Sequence, residues 1–337
     1  MRHIYRFVII ACVISTAAIG VEAADDSLAV RPDRKAALDL PPITLSADLW
    51  YTMGESSWEI FFGEIDAGVG PFIGTSRLEF EDLDGPVFVL SADAQLLQWL
   101  SLRGRVGFGE ADDGEGTDTD FILAPRSAFG QSTISESRFD TDSDIENFDI
   151  SLHARVSEWG AASDQGHLEV FIGYQHAEEE LRLRNGVQSI ITDDKVSRTF
   201  DDILDSRFDF EWSGLRIGAG TAFQFNETIW LEMSAAYLAD VDYDGEGFWN
   251  LRDDLKATAP NFVQSGGSGD GFDVEIAVTV AELFENVNVR AGYRWTEWQV
   301  DGGQDRVFTA AGEVLSTSLS EATSERHGFF IGAGIDL

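Results

Sequence analysis

Residues 229–250 read IWLEMSAAYLADVDYDGEGFWN, and the first half of this stretch alternates in polarity. One face would carry mostly apolar side chains: Ile229, Leu231, Met233, Ala235, Tyr237, Ala239 and Val241. The other would carry Trp230, Glu232, Ser234, Ala236 and Leu238. Successive side chains of a strand point to opposite faces. The pattern therefore predicts a membrane-spanning strand that has lipid on one side and a partly polar barrel interior on the other. Continued with the same period, the interior face presents Asp240, Asp242 and Asp244.

Nine further segments alternate in the same way, and the chain ends in one of them. The ten segments span residues 43–62, 76–96, 100–110, 144–157, 167–184, 206–225, 229–250, 272–281, 287–300 and 326–337. Short connections near residues 97–99, 159–166, 225–227 and 283–286 alternate with long ones at 63–75, 110–143, 185–205, 245–271 and 301–324. An even strand number with short turns on one side and long loops on the other is typical of outer-membrane barrels. The sequence predicts an all-β fold: a ten-stranded antiparallel transmembrane β-barrel with short periplasmic turns and long outer loops. A soluble β-sandwich is the alternative, but it would not need ten long segments with such unequal loops.

The N-terminus has the features of a secretory signal. Arg2 and Arg6 precede an apolar run over residues 7–19, and Val21-Glu22-Ala23 offers a cleavage site. We therefore expect a signal peptide at 1–23, a flexible periplasmic leader at 24–42 and the barrel at 43–337. No apolar run of about 18 residues follows, so no spanning helix is expected in the mature chain. The only cysteine, Cys12, would leave with the signal. The predicted location is the bacterial outer membrane.

The net charge of the chain indicates which binding partners it can have. The chain has a formal net charge of −37, which excludes nucleic acid as a partner because phosphate binding requires excess positive charge. Expected partners are outer-membrane lipid, lipopolysaccharide, divalent cations and cationic peptides.

The interior of a barrel of this size is mostly filled by side chains, and we expect its charges to form opposite-sign pairs. A selective ion path is the alternative. An interfacial girdle is predicted from Trp50, Tyr51, Tyr174, Trp212, Tyr237, Tyr243, Trp295 and Trp298.

Two groups of acidic residues suggest where chemistry could occur. Asp118-Thr-Asp120-Phe lies in the second predicted long loop, and the segment from Asp242 to Phe248 leads into the fourth. With ten strands and five outer loops, this layout resembles the omptins, which are outer-membrane aspartyl-type proteases. It is also similar to the omptin-like barrels grouped as Protochlamydia-type outer membrane proteins, for which no protease chemistry is implied.

The omptin resemblance implies an Asp-x-Asp pair in the second loop and an Asp-x-His dyad in the fourth. Asp118 and Asp120 match the first pair. In place of the dyad the chain has Asp244 and Glu246, and residues 244–248 contain no histidine. The histidine would serve as the base that activates water, and a carboxylate is a poor substitute unless its pKa is raised. The candidate catalytic residues are therefore Asp118, Asp120, Asp244 and Glu246, in an incomplete site.

A cation site is the third hypothesis. Asp240-x-Asp242-x-Asp244-Gly245 matches the opening of a calcium-binding loop, but position twelve is Leu251, where a bidentate Glu is required. Hard cations such as Ca2+ still prefer clustered oxygen ligands, so Asp240, Asp242 and Asp244 are candidate ligands for a divalent cation, either alone or in a site shared with Asp118 and Asp120.

The sequence favours a non-enzymatic outer-membrane barrel of omptin-like build. Its role would be structural in the envelope, in cation or ligand binding, or in narrow, porin-like passage of solutes. The alternative is an omptin-like endopeptidase that lacks the histidine.

Overall fold

A computed structural model describes residues 42–66, 71–123, 131–160, 165–190, 196–199, 203–284 and 286–337. Within them lie twelve strands: β1 (Ile43–Asp66), β2 (Pro71–Glu81), β3 (Gly85–Leu97), β4 (Leu100–Leu123), β5 (Gln131–Trp159), β6 (Gly166–Ile190), β7 (Val196–Thr199), β8 (Asp205–Gln224), β9 (Ile229–Phe248), β10 (Phe262–Phe284), β11 (Val287–Phe308) and β12 (Val314–Asp336). The predicted signal peptide and nearly all of the leader lie outside the described residues. No described helix is long and apolar enough to cross a membrane.

The strands form one closed antiparallel ring. β12 pairs with β1, from Thr44 opposite Asp336 to Phe61 opposite Ser318, which closes the barrel. Both β2 and β3 lie between β1 and β4, so they are two halves of one interrupted barrel strand. The short β7 pairs with β6 alone. The ring therefore has ten members, and the predicted fold class is confirmed. The end where Thr44 meets Asp336 is called the base below, and the opposite end is called the rim.

The strands are longer than the sequence pattern predicted. Residues 110–143 were expected to form a loop, but β4 runs to Leu123 and β5 begins at Gln131. Residues 301–324 likewise belong mostly to β11 and β12. The prediction of long loops at these two positions was wrong because strands beyond the apolar segments keep their period, while their outer face becomes polar and their buried side chains face inward. The barrel wall thus extends well past its apolar part.

The wall changes its polarity along its length. Near the base, the outer surface is apolar, with exposed Leu49, Val170, Ile217, Ile276 and Ile331 among many. This membrane band is the surface expected to contact lipid. Nearer the rim the pattern inverts, because aromatic side chains point inward and charged ones outward. Trp50, Trp212, Tyr243 and Trp298 are buried inside, so their assignment to an exposed girdle was wrong. Tyr51, Tyr174 and Tyr237 are exposed, as that assignment requires.

This inversion explains two errors of phase. The sequence suggested a phase slip in β8, because Phe208, Phe210 and Trp212 are even-numbered whereas Leu215 and Ile217 are odd. The strand in fact keeps its phase, with the aromatics buried inside and the aliphatics exposed outside. The extra residue lies on β9, where the register skips between Ala239 and Asp242 and Asp240 has φ of 49°. Beyond this bulge, Asp242 and Asp244 point outward, which contradicts their predicted place on the interior face.

A network of opposite charges fills the middle of the lumen. Arg105 contacts Asp149 at 2.5 Å and Glu275 at 2.8 Å, and Arg216 donates to Asp273 at 2.8 Å. The same network includes Asp48, Arg290 and Arg294. This pairing offsets the cost of removing charges from water, as the sequence predicted for the inward-facing set.

An aromatic layer lies between this network and the rim. Trp212 contacts Tyr243 with ring centroids 4.5 Å apart, and Trp58 contacts Phe208 at 4.1 Å. Phe208 stacks on Phe262 at 5.4 Å. The layer also contains Phe80, Phe139, Phe210, Trp298 and several aliphatic side chains, all less than a tenth exposed. Together the charged and aromatic layers close the lumen between base and rim.

Candidate functional site

Asp118 and Asp120 lie on the inner face of β4 near the rim. They pair across β2 with Leu78 and Ser76, both of which are buried. The Ser76 hydroxyl donates to Asp118 Oδ1 at 3.0 Å. On the other side, the Ser135 hydroxyl donates to Asp120 Oδ2 at 2.6 Å. The two carboxylates are thus held side by side on a strand, and they face the mouth of the barrel.

The fourth connection at the rim brings an arginine towards this pair. β9 ends at Phe248 and β10 begins at Phe262, so residues 249–261 form the connection. In it, Arg252 makes two hydrogen bonds to Asp254, at 2.9 and 2.8 Å. Burial and the charge of Asp120 raise the pKa of Asp118 to about 7, while Ser76 and the charge of Arg252 act against this rise. The mouth therefore combines two adjacent carboxylates, of which Asp118 has a raised pKa, with a guanidinium that is hydrogen-bonded to Asp254.

Asp118 is expected to make stability depend on pH. Its pKa is higher in the folded chain than the value of about 3.9 for an unfolded aspartate. The folded state therefore binds more protons between about pH 4 and pH 7, and stability falls as pH rises through this window. Urea unfolding from pH 4 to pH 8 measures this fall, and the Asp118→Asn chain should show a smaller one. An unchanged pH profile in that variant contradicts the assignment.

The other predicted catalytic residues are not part of the mouth. Asp244 and Glu246 lie on β9 opposite Glu211 and Asp209 of β8, and their side chains are exposed on the outer wall. They point away from the lumen that Asp118 and Asp120 face. Asp240 lies at the bulge and Asp242 follows it on the exposed face, so the three aspartates do not form the inward-facing set that was predicted.

The outward acids instead belong to a larger surface, which we call the carboxylate panel. Its lower row runs in register across four strands: Glu146, Glu178, Glu211 and Asp244. Its upper row does the same: Asp144, Glu180, Asp209 and Glu246. Arg182 binds Asp144 at 2.6 Å and Glu180 at 3.0 Å. Like charges directly opposite one another across strands are destabilising, so the panel stores repulsion that its few arginines only partly offset.

Electrostatic strain is visible in the panel itself. Burial, followed by the charge of Glu180, raises the pKa of Asp209 to about 6, and no described residue offers a hydrogen-bond partner to the buried Asp209 Oδ1. Burial and the charge of Asp242 raise the pKa of Asp244. These acids would be stabilised by a positive charge at the surface.

One histidine lies at the lower edge of the panel. Among the described residues, His176, Glu178 and Glu211 bring their possible ligand atoms within 4.8 Å of one another. His176 Nε2 is buried, has no hydrogen-bond partner in the part of the chain that the structure describes, and lies 4.0 Å from Glu178 Oε2. An imidazole nitrogen with two carboxylates is a donor set that divalent metal ions accept. Glu178 lies on the same strand as His176, whereas the register between β6 and β8 brings Glu211 beside them.

Sequence reasoning missed two features of this region. It placed the fourth connection at residues 245–271 but looked for site residues only at 244–248, and so overlooked Arg252, although the excess of polar residues after Phe248 was a usable signal. It also did not bring together the acids of β5, β6, β8 and β9. Only the strand register brings them into rows, and register cannot be read from one strand at a time.

A closed ten-stranded barrel with an apolar outer band and a charged lumen defines an outer-membrane β-barrel protein. Comparison with solved structures supports this class. The outer membrane protease OmpT from Escherichia coli superposes with a TM-score of 0.66 at 12% identity, covering 93% of this chain and 99% of that chain. Neisserial surface protein A matches with a TM-score of only 0.28 at 9% identity, covering 87% and 96%. The toluene transporter TbuX from Ralstonia pickettii gives 0.32 at 10% identity, covering 86% and 89%.

Comparison with protein-family models identifies the family of the chain more specifically than the solved structures do. Residues 53–332 match the model of the Protochlamydia outer membrane protein family. The chain therefore belongs to this family, and its location is the outer membrane. No curated protein matches the sequence. The predicted omptin-like family is confirmed. Because the sequence identity to OmpT is only 12%, the similarity to OmpT shows a shared fold and nothing further.

Proposed function

We propose that the chain is a closed barrel that anchors the outer leaflet of the outer membrane by binding divalent cations on its outer wall. The carboxylate panel carries this proposal. On β5 its lower row begins two residues beyond Phe148, and Phe148 contacts the exposed Tyr174 with ring centroids 6.2 Å apart. At about 3.3 Å per residue, the two rows lie within roughly 15 Å of the membrane band. This is the level of lipid headgroups.

Charge explains why a cation is needed there. Phosphate groups of lipopolysaccharide would be repelled by eight carboxylates unless divalent cations lie between them. Hard cations bind carboxylate oxygens readily and can share ligands with phosphate. The panel, the cation and the anionic headgroup would then form one layer. The closed lumen supports a structural role in the envelope rather than solute passage.

Calcium should raise the melting temperature of the folded chain in lipopolysaccharide-containing detergent. A ligand at a hundred times its Kd stabilises by about 2.7 kcal/mol, which is about 5 °C for a barrel of this size. The double variant Glu178→Gln/Glu211→Gln should lose most of this rise, because it removes neighbouring acids from the lower row.

The matched control is Asp253→Asn/Glu313→Gln, which removes two exposed acids that belong to neither row of the panel. It should keep the full calcium response. Equal responses in both double variants, or no response at millimolar calcium in the unmodified chain, would overturn the proposal.

An endopeptidase at the mouth is the second candidate. The inward-facing pair Asp118 and Asp120, with the raised pKa of Asp118, favours it, and so does the fold shared with an outer membrane protease. Against it, the fourth connection supplies Arg252 and Asp254 near the pair rather than a histidine base. A carboxylate pair that shares one proton can activate water. Asp254 cannot assist such a pair, because it accepts two hydrogen bonds from Arg252.

A fluorogenic peptide with two adjacent basic residues tests this candidate in the same detergent. We expect no cleavage above the rate of a detergent blank. Cleavage that is abolished by Asp118→Ala and retained by Asp253→Asn would establish the second candidate in place of an anchoring role alone.

A further inference from the structure

The base half of the lumen contains a cavity that neither the panel nor the mouth uses. Its volume is about 400 Å3, and its lining includes Thr44 and Asp336 at the base ends of β1 and β12. The cavity therefore opens towards the base. Three of its lining side chains are Ser151 and His153 of β5 and Glu169 of β6.

These three side chains form a hydrogen-bonded chain. Ser151 Oγ lies 2.8 Å from His153 Nε2, and His153 Nδ1 lies 2.9 Å from Glu169 Oε1. Ser151 and His153 are two residues apart on one strand, so they face the same way. Glu169 reaches His153 from the neighbouring strand. All three side chains are less than a tenth exposed, which fixes their positions.

The protonation of His153 follows from Glu169. Arg103 donates to both carboxylate oxygens of Glu169, at 2.5 and 2.9 Å, so this carboxylate is ionised and can only accept hydrogen bonds. His153 Nδ1 must therefore carry the proton and donate it to Glu169. Arg103 Nη1 also lies 3.1 Å from Nδ1, because both groups donate to the same oxygen. His153 Nε2 is left as the acceptor of the Ser151 hydroxyl.

A further donor lies beside this chain. Arg216 lines the same cavity and uses Nη2 to bind Asp273 at 2.8 Å. Among the described residues its buried Nε–H has no hydrogen-bond partner. The Arg216 guanidinium lies 4.6 Å from the centre of the Phe171 ring, which stacks on His153 with centroids 4.6 Å apart. Arg216 thus contributes positive charge to the wall of this cavity, which favours negative charge that develops on a substrate oxygen.

From this geometry we propose that the cavity hydrolyses small carboxylic esters that enter from the base side. Ser151 Oγ attacks the ester carbonyl carbon, and its proton passes to His153 Nε2. The carbon–oxygen bond to the alcohol then breaks, and the alcohol leaves with that proton. Water attacks the acyl-serine with His153 again accepting the proton, which releases the acid and restores Ser151. Glu169 positions His153, and the Arg216 guanidinium adds positive charge to the cavity wall.

The cavity walls restrict the substrate class. A volume of about 400 Å3 is at the small end of ligand sites. Charged groups of both signs line it, including Asp93, Arg105 and Glu232. A short, polar acyl ester is compatible with these walls, whereas a long hydrocarbon chain is not.

A small alkyl fluorophosphonate tests the proposal on the full-length folded protein. Its phosphorus should bond to Ser151 Oγ with loss of fluoride, and tandem mass spectrometry of the unmodified chain should map the adduct to Ser151. Labelling should disappear in Ser151→Ala and slow at least about 100-fold in His153→Ala, because general-base assistance contributes 100-fold or more. Glu169→Gln should also slow labelling, and Glu169→Asp, which keeps the carboxylate, should restore part of the rate.

Ser316→Ala is the matched control. Ser316 is exposed on β12 and is not part of the cavity lining, so its loss should leave labelling unchanged. The heat-dependent shift of barrel mobility in electrophoresis reports folding of each variant. The proposal is wrong if the folded unmodified chain is not labelled, or if the adduct maps to another residue. Because the mapping needs no variant, a misfolded Ser151→Ala chain does not weaken the test.

Discussion

Replacing Asp273 with alanine is expected to lower the free energy of unfolding by about 3–5 kcal/mol, the usual cost of removing one partner from a buried charge pair. Asp273 is almost fully buried and accepts a hydrogen bond from Arg216 at 2.8 Å. Arg105 lies 3.8 Å away as a second positive neighbour. Without Asp273, Arg216 keeps its charge in the lumen with no carboxylate opposite. Urea unfolding in lipid bilayers measures the loss.

The matched control for this change is Asp253→Ala. Asp253 is exposed in the fourth connection, and substitution of such a residue is expected to change stability by less than about 0.5 kcal/mol. A loss below 1 kcal/mol for Asp273→Ala would mean that water, rather than Asp273, compensates the arginines. The charged layer would then be a hydrated passage and not a structural seal.

Trp212→Ala should have a comparable effect in a different layer, with a loss of about 3–5 kcal/mol, as for other large aromatic side chains in cores. Trp212 is 2% exposed. Its ring lies 4.5 Å from Tyr243 and 6.3 Å from Trp298 between centroids. Its removal leaves a cavity between strands that hydrogen bonds hold apart, so the wall cannot collapse to fill it. Urea unfolding again provides the measurement.

Leu315→Ala is the control for the aromatic layer, because Leu315 is 51% exposed near the rim. It should change stability by less than about 0.5 kcal/mol. Planar bilayers give a second readout. The unmodified barrel should carry no steady current, and a steady current through it would contradict the closed lumen irrespective of the unfolding data.

The sequence was sufficient to predict the ring and its lipid-facing residues. Alternation at Leu215, Ile217 and Tyr237 identifies outward positions because lipid accepts only apolar side chains there. The same rule fails above the membrane. There the aromatic residues Phe208 and Trp212 face inward, as in a water-soluble barrel, and their apolar character no longer indicates the outer face.

The candidate site was predictable only in part. Asp118 and Asp120 share a face because they are two residues apart on one strand, and spacing alone establishes this. The placement of Asp244 depends on a one-residue bulge at Asp240, whose positive φ leaves little trace in sequence because aspartate is also common in ordinary turns. The chain of Ser151, His153 and Glu169 requires the register between β5 and β6, which no single segment specifies.

The long wall of β4 and β5 has a consequence for what other cells and molecules encounter. The hairpin between them extends about 17 residues past Phe148 on β5, which corresponds to several nanometres of strand at about 3.3 Å per residue. A macromolecule that approaches from outside would therefore meet the rim ends of β4 and β5 before it meets the membrane band. Side chains at these strand ends can change without disturbing the embedded cylinder, since many rungs of backbone pairing separate the two.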